Sequence, residues 1–328
     1  MHTRTVAHML GASLLLATLT TVPVFAQSPE MWDRSFDHFN YASPDETVRI
    51  DGSIGAIFIE GSEKVMYGSN ALSHLIWQST APVLRGSIAV NLPNGFSLRG
   101  EGSVAGFASS YMEDYDWLKG DFTTANWSHR SQHPDTNLDH YFTGAGMVGY
   151  ELVRDDKAVI RAHGGLKYTD VQWAAYGGTY VYSSGGGFRD QVGSWPAGTP
   201  GITYRQQLPE VFLGVDGEET YGNFRVGGLL RGGLTFLSVA TDDHWMRNLR
   251  FVDELYVAPT VTVGADIGFA LGKNAEVTLA ARYDHIFEVR GDTRYYNIAS
   301  GAQTHTLADV AAGGLRSAEI TAGLRGRF

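Results

Sequence analysis

The chain contains no cysteine in its 328 residues. That absence excludes a disulfide framework, a thiol nucleophile and a zinc–thiolate site. Long apolar runs are missing too: after residue 26 no stretch approaches the ~18–20 apolar residues that a membrane-spanning helix requires. Positive charge is the third shortage. Lys and Arg number 25 against 35 Asp and Glu, for a formal charge of −10. Lys119, Arg130 and Lys167 form no basic run, which argues against nucleic acid as a partner. The acidic balance fits cationic peptides or proteins instead.

What is present begins with a leader. Residues 1–26 read as a secretory signal, with Arg4 in a short polar region and an apolar stretch from Met9 to Phe25. Val24 and Ala26 supply the small residues a signal peptidase needs, and Thr18, Thr20, Thr21 and Pro23 interrupt the stretch, which favours cleavage over a retained anchor. Removing residues 1–26 from 328 leaves 302 and takes Arg4 away, so the charge becomes −11. That length suits one large domain spanning 27–328. Its 40 Gly, 16 Tyr, 16 Phe and 7 Trp fit strands that are apolar on one face only.

Period-two alternation is the dominant signal. Leu84, Gly86, Ile88, Val90 and Leu92 alternate with Arg85, Ser87, Ala89 and Asn91 up to the turn Pro93-Asn94-Gly95. Phe96, Leu98, Gly100, Gly102 and Val104 then alternate with Ser97, Arg99, Glu101 and Ser103. The same hairpin form recurs around Arg154–Lys157, the polar stretch Asp216–Asn223, and Gly272–Asn274. Between these short turns lie long polar segments, roughly 59–76, 107–139, 169–206, 238–257 and 286–317. Four short turns and five long loops connect ten strands, the pattern of an all-β, ten-stranded antiparallel transmembrane barrel in a bacterial outer membrane. On the last strand Ile320, Ala322, Leu324 and Phe328 share a face, and a terminal aromatic there resembles the recognition signal of such barrels. A soluble β-sandwich is the competing architecture.

Two acidic clusters fall in the outer segments. Asp114 and Asp116 are spaced i, i+2, which on an extended chain points both carboxylates to one face. Asp242 and His244 repeat that spacing two loops further on, across the lumen. An imidazole, titrating ordinarily near ~6.5, can take a proton at neutral pH, and a neighbouring Asp fixes its tautomer. Two close carboxylates raise one another's pKa and can hold a water molecule. Taken on spacing alone, such runs are more often solvated loop charge. His129, His133 and His140 have helical spacing in a loop-and-strand segment, so no metal is assigned; His133 is expected to support the site from behind.

The stretch Met112–His140, with Asp114-Tyr115-Asp116-Trp117 and then His133-Pro134-Asp135-Thr136, resembles the omptin family of outer-membrane endopeptidases. So do Tyr182-Ser183-Ser184, Gly187-Phe188-Arg189-Asp190, Gly193-Ser194 and Asp242-Asp243-His244-Trp245, in order along nearly the whole mature chain. The resemblance implies a peptide hydrolase needing no cofactor, with Asp114 and Asp116 on the family's aspartate pair and Asp242 and His244 on its dyad. His244 would act as general base on a water held between the pairs. Glu63, in Ser62-Glu63-Lys64-Val65, matches an acid lining the pocket for the residue before the scissile bond, where a carboxylate selects Arg or Lys. Substrates with basic residues, outer-membrane lipid and a monomeric state are the partner expectations.

Departures from the pattern concern what surrounds the site. The pocket's second acid is missing, since Ala240 stands two before Asp242. His129 occupies a position where some members carry an aspartate. Leu166, Tyr168 and Asp170 replace residues that bind lipopolysaccharide, and Gln207 replaces a partner arginine, so lipid dependence stays open. Three alternatives compete: an active endopeptidase; a catalytically weak barrel serving as adhesin or structural protein; a pore or lipid hydrolase. A ten-stranded lumen filled by Arg85, Arg99, Glu101, Arg161 and Arg282 disfavours the pore, and no Ser–His pair suits the lipid hydrolase.

Overall fold

Each long alternating segment becomes one stave of a closed sheet. The computed structural model describes residues 47–328, so the expected leader lies outside the described residues. The strands are β1 (Val48–Tyr67), β2 (Asn70–Asn91), β3 (Phe96–Ala105), β4 (Ser109–Asp116), β5 (His129–Arg154), β6 (Ala158–Tyr182) and β7 (Gln191–Tyr221). They continue with β8 (Phe224–Thr235), β9 (Ser238–His244), β10 (Leu249–Leu255), β11 (Pro259–Ala270), β12 (Ala275–Asn297) and β13 (Gln303–Arg327). All neighbours are antiparallel, and β1 pairs with both β2 and β13, which closes the ring. Three staves are built from two strands end to end: β3 with β4, β8 with β9, and β11 with β10. Thirteen strands therefore make the ten staves expected. Phe107 and Leu237 sit in two of the breaks with left-handed φ of 54° and 50°.

The outward face carries Ile54, Leu84, Leu166, Leu213, Ile267, Ile320 and Leu324, all exposed. At the short-turn end Phe96, Tyr150, Phe224 and Phe269 form a belt, with ring centroids 5.0 Å apart in the first pair and 5.1 Å in the second. An apolar band edged by aromatics is the outer surface of a bilayer-spanning barrel, in which every lipid-facing backbone group is satisfied by a neighbouring strand.

The four short turns lie where alternation placed them; at the first, Asn94 and Gly95 take φ of 68° and 81°. The five long segments differ from expectation in kind. They are mostly strand: β1 and β2 are joined only through Gly68 and Ser69, and β9 and β10 through a single 3-10 turn, Trp245–Arg247, and Asn248. Polar side chains on both faces read as loop, yet here the barrel extends beyond its apolar band, with one face turned to water and the other inward. The stretch Asp216–Asn223 is likewise mostly strand, with Asp216 and Glu218 aimed into the lumen.

Inside, the ring has zones. At the short-turn end Glu101 receives Arg282 at 2.9 Å, Arg85 at 3.4 Å and Arg231. Asp216 pairs with Arg99 at 3.3 Å and Arg161 at 3.4 Å. Above these charges the inner face turns apolar: Ile57, Ile59, Met112 and Val171 surround Trp77, Trp173 and Tyr204. Trp77 stacks on Trp173 at 6.0 Å and on Tyr204 at 5.8 Å. This aromatic layer floors the chamber that opens at the other end.

Removing one partner of a buried ion cluster strands the others, at ~3–5 kcal/mol, whereas exposed pairs are worth ~0–1 kcal/mol. Glu101→Ala should therefore lower the temperature at which the folded gel band is lost far more than Lys64→Ala, which breaks the partly exposed Lys64–Glu288 pair. Similar losses for both variants would contradict this zoning.

Candidate functional site

Strand β4 presents Asp114 and Asp116 inward, as their spacing predicted, while Glu113 and Tyr115 face away and engage Arg130. Ser73, on β2, donates to Asp114 Oδ1 at 3.2 Å. Burial and the neighbouring charge of Asp116 hold the Asp114 carboxyl well above the usual carboxylate range. Asp116 is raised by burial as well, against the pull of Ser73, His129, Arg247 and His244. A pair held in this way releases its first-bound proton less readily than ordinary carboxyls do.

The second pair comes from β9. Asp242 is 3% exposed, and its Oδ2 lies 2.6 Å from His244 Nε2. Asp243, between them, is held by Arg250 at 2.5 and 2.7 Å and leaves the dyad alone. The hairpin after His244 is tight because Asn248 adopts left-handed φ of 53° and returns its N–H to the Trp245 carbonyl. That turn brings Arg247 back, and its guanidinium donates to His244 Nδ1. Nδ1 is therefore the bare nitrogen and Nε2 the protonated one. Phe251, opposite Asp242 on β10, packs edge-on against the imidazole at 5.3 Å.

Asp116 and the dyad open onto one cavity of about 300 Å³, lined among others by Glu63, Asp242, His244, Arg247 and Asp253. Glu63 is 4% exposed and lies against Asp242. Burial first, then the charges of Asp242, Asp253 and Asp114, raise its carboxyl well above the ordinary range. Asp253, on β10, is pushed up to about 7 by burial, eased by Thr293, and by the charge of Asp242. Sequence reading missed Asp253 and Arg247. Both lie in the segment taken as a loop, and only counting the β9–β10 register through the hairpin would have turned Asp253 inward.

The remaining candidates disperse. His129 is the cross-strand partner of Asp116 and packs on Tyr182 at 4.9 Å, beside the acid pair. His133 is buried, 3.0 Å from Ser131 and stacked on Trp195 at 5.5 Å; burial lowers its pKa. His140 binds Asp170 at 2.9 Å elsewhere on the barrel. Among the described residues no three His, Asp or Glu side chains are arranged to hold a metal. Asp170 is also clamped by Arg205, and Gln207 donates to Tyr168 at 2.8 Å, so these side chains bind one another; Leu166 faces outward nearby.

Comparison with known proteins decides the family. The omptin family profile matches residues 44–328. The chain belongs to the omptin family. Outer membrane protease OmpP of Escherichia coli strain K12 is 26% identical over 298 residues, covering 89% of this chain and 92% of that protein. The plasminogen activator of Yersinia pestis is 27% identical over 274 residues, covering 81% and 85%. The crystal structure of outer membrane protease OmpT from Escherichia coli shares the fold, with a TM-score of 0.81 at 24% identity, covering 87% of this chain and 98% of that one. This omptin is thus an outer-membrane β-barrel protease.

The raised carboxyls make the stability of this omptin depend on pH. In the folded barrel Asp253 keeps its proton up to about 7, whereas an unfolded Asp releases it near ~3.9. Stability therefore falls as pH rises through that window, and Glu63 and Asp114 contribute with the same sign. The groups facing Asp253 are Glu63 on β1, Tyr204 on β7, Asp242 on β9 and Tyr295 on β12. Asp253→Asn should raise the unfolding temperature more at pH 8 than at pH 5, and equal changes at both would refute the assignment.

Proposed function

We propose that this omptin cleaves peptide bonds next to Lys or Arg with a water activated by His244 and held between the dyad and Asp114/Asp116. The observation that carries this reading is the 2.6 Å Asp242–His244 contact, opening with Asp116 onto one cavity. Asp242 accepts the Nε2 proton and orients the ring, leaving the Nδ1 lone pair to take a proton from water. Arg247 occupies that lone pair in this structure and must withdraw for the step to run. As water's oxygen bonds to the scissile carbonyl carbon, its proton passes to Nδ1. The same proton then goes to the leaving amine nitrogen as the C–N bond breaks. Burial of the Asp114/Asp116 pair favours its protonated form, and a proton shared there would steady the carbonyl oxygen as it gains charge. Neither a serine nucleophile nor a metal takes part.

Preference for a basic residue rests on Glu63, a buried carboxylate beside the dyad. A charge-assisted contact to an ammonium or guanidinium would relieve the burial of its charge. With Ala240 and His129 at the two departures, dibasic selectivity is not part of the proposal.

Detergent-refolded protein is expected to cut peptides after Arg or Lys and to resist serine-protease reagents and chelators. His244→Ala should lose ~10²- to 10⁴-fold in kcat, the usual scale for a general base, while its heat-resistant folded band on a gel is retained. Equal cleavage by wild type and His244→Ala would sink the mechanism.

A further inference from the structure

The chamber holds more carboxyl groups than the dyad and the acid pair use. Asp253 stands directly across from Ala240 on β9 and from Thr293 on β12, on the inner face of β10. It is 6% exposed and lines the same cavity as Glu63 and Asp242. Among the described residues neither Glu63 nor Asp253 has an ion-pair partner, and Glu63 Oε2 and Asp242 Oδ1 are buried without a hydrogen bond. The nearest cations are spoken for: Lys64 is 2.7 Å from Glu288, and Arg247 is turned to His244. Buried carboxylates without partners are costly, and the low-cost resolution is a cation from outside. The rest of the lining suits a long aliphatic stem that ends in such a charge. Leu75, Phe251 and Tyr295 give apolar walls, and Ala311 adds only a methyl group from β13.

We propose that Asp253 is the second carboxylate, with Glu63, of the pocket that receives the basic side chain of the substrate. The inference rests on the protease reading above and deepens it by naming a specificity residue. Asp253 touches the substrate's cation, not the scissile bond. Its carboxylate reaches the pocket from β10, directly across the ladder from Ala240, one strand sideways from position 240. The pocket thereby regains the charge that Ala240 withholds, and one incoming guanidinium, with five donors, can bond to both carboxylates.

The test compares two peptides that differ only in Arg or norleucine before the scissile bond, at pH 8. Asp253→Asn is expected to lower the ratio of kcat/KM values, Arg over norleucine, at least tenfold relative to wild type. Ala240→Asp combined with Asp253→Ala returns the carboxylate to the same space from β9 and should recover most of that ratio. A separate readout uses the His244→Ala background, where titration calorimetry with the Arg peptide should show at least tenfold weaker binding when Asp253→Asn is added. An unchanged ratio and unchanged binding in correctly folded Asp253→Asn would overturn the proposal and leave the protease reading intact. If wild type cleaves neither peptide but Arg-peptide binding still depends on Asp253, the reaction reading fails and the pocket stands.

Discussion

In the β1–β13 ladder, residues from Arg49 to Val65 pair with residues from Arg327 back to Ala311. This last set of backbone bonds turns an open sheet into a ring. Without it, β1 and β13 would each present an unpaired edge to lipid, where no water can satisfy N–H and C=O groups. The same ladder sets Glu63 beside Gly313, and so decides which small residues flank the chamber. Closure also places β4 and β9 on opposing walls, and from that the meeting of Asp114 and Asp116 with Asp242 and His244 follows.

Within the ring, charge is handled in two ways. In the lower lumen the carboxylates are bonded to arginine, as Glu101 is to Arg85, Arg231 and Arg282. Those clusters occupy the lumen and tie staves together. Above the Trp77–Trp173–Tyr204 layer the balance reverses, with Glu63, Asp114, Asp242 and Asp253 buried or half-buried beside few cations. The aromatic layer keeps the lower arginines from neutralising the upper acids. Paired charge below ties the staves together; above, Glu63 and Asp253 have no ion-pair partner among the described residues, and the proposed pocket would use them to receive a cation. Arg247 stands at the rim with its guanidinium on His244 Nδ1, and under the proposed mechanism its withdrawal would free that nitrogen as substrate enters.

Much of this was legible in the residues themselves. Alternation through Leu84–Asn91 and Phe96–Val104 located the staves, and the i, i+2 spacing of Asp114/Asp116 and Asp242/His244 correctly put each pair on one face. Less legible was where strands end. Polar segments such as 238–257 read as loops because a strand beyond the bilayer loses its apolar outer face, and with it the signal that marks it as a strand. His133 and His140, seven apart in sequence, proved to belong to different surroundings, one stacked on Trp195 and the other bound to Asp170.

The sequence by itself determined the alternation, the turn positions and the direction in which each acidic pair points, because these depend on local backbone geometry with period two. The tertiary structure alone decided which pairs face each other, that Glu63 abuts Asp242, and that Asp253 lies across from Ala240. Those contacts are set by ring closure and by the register of a tight hairpin. Both are long-range hydrogen-bond choices, and a shift of one residue would turn Asp253 from the chamber to the outside.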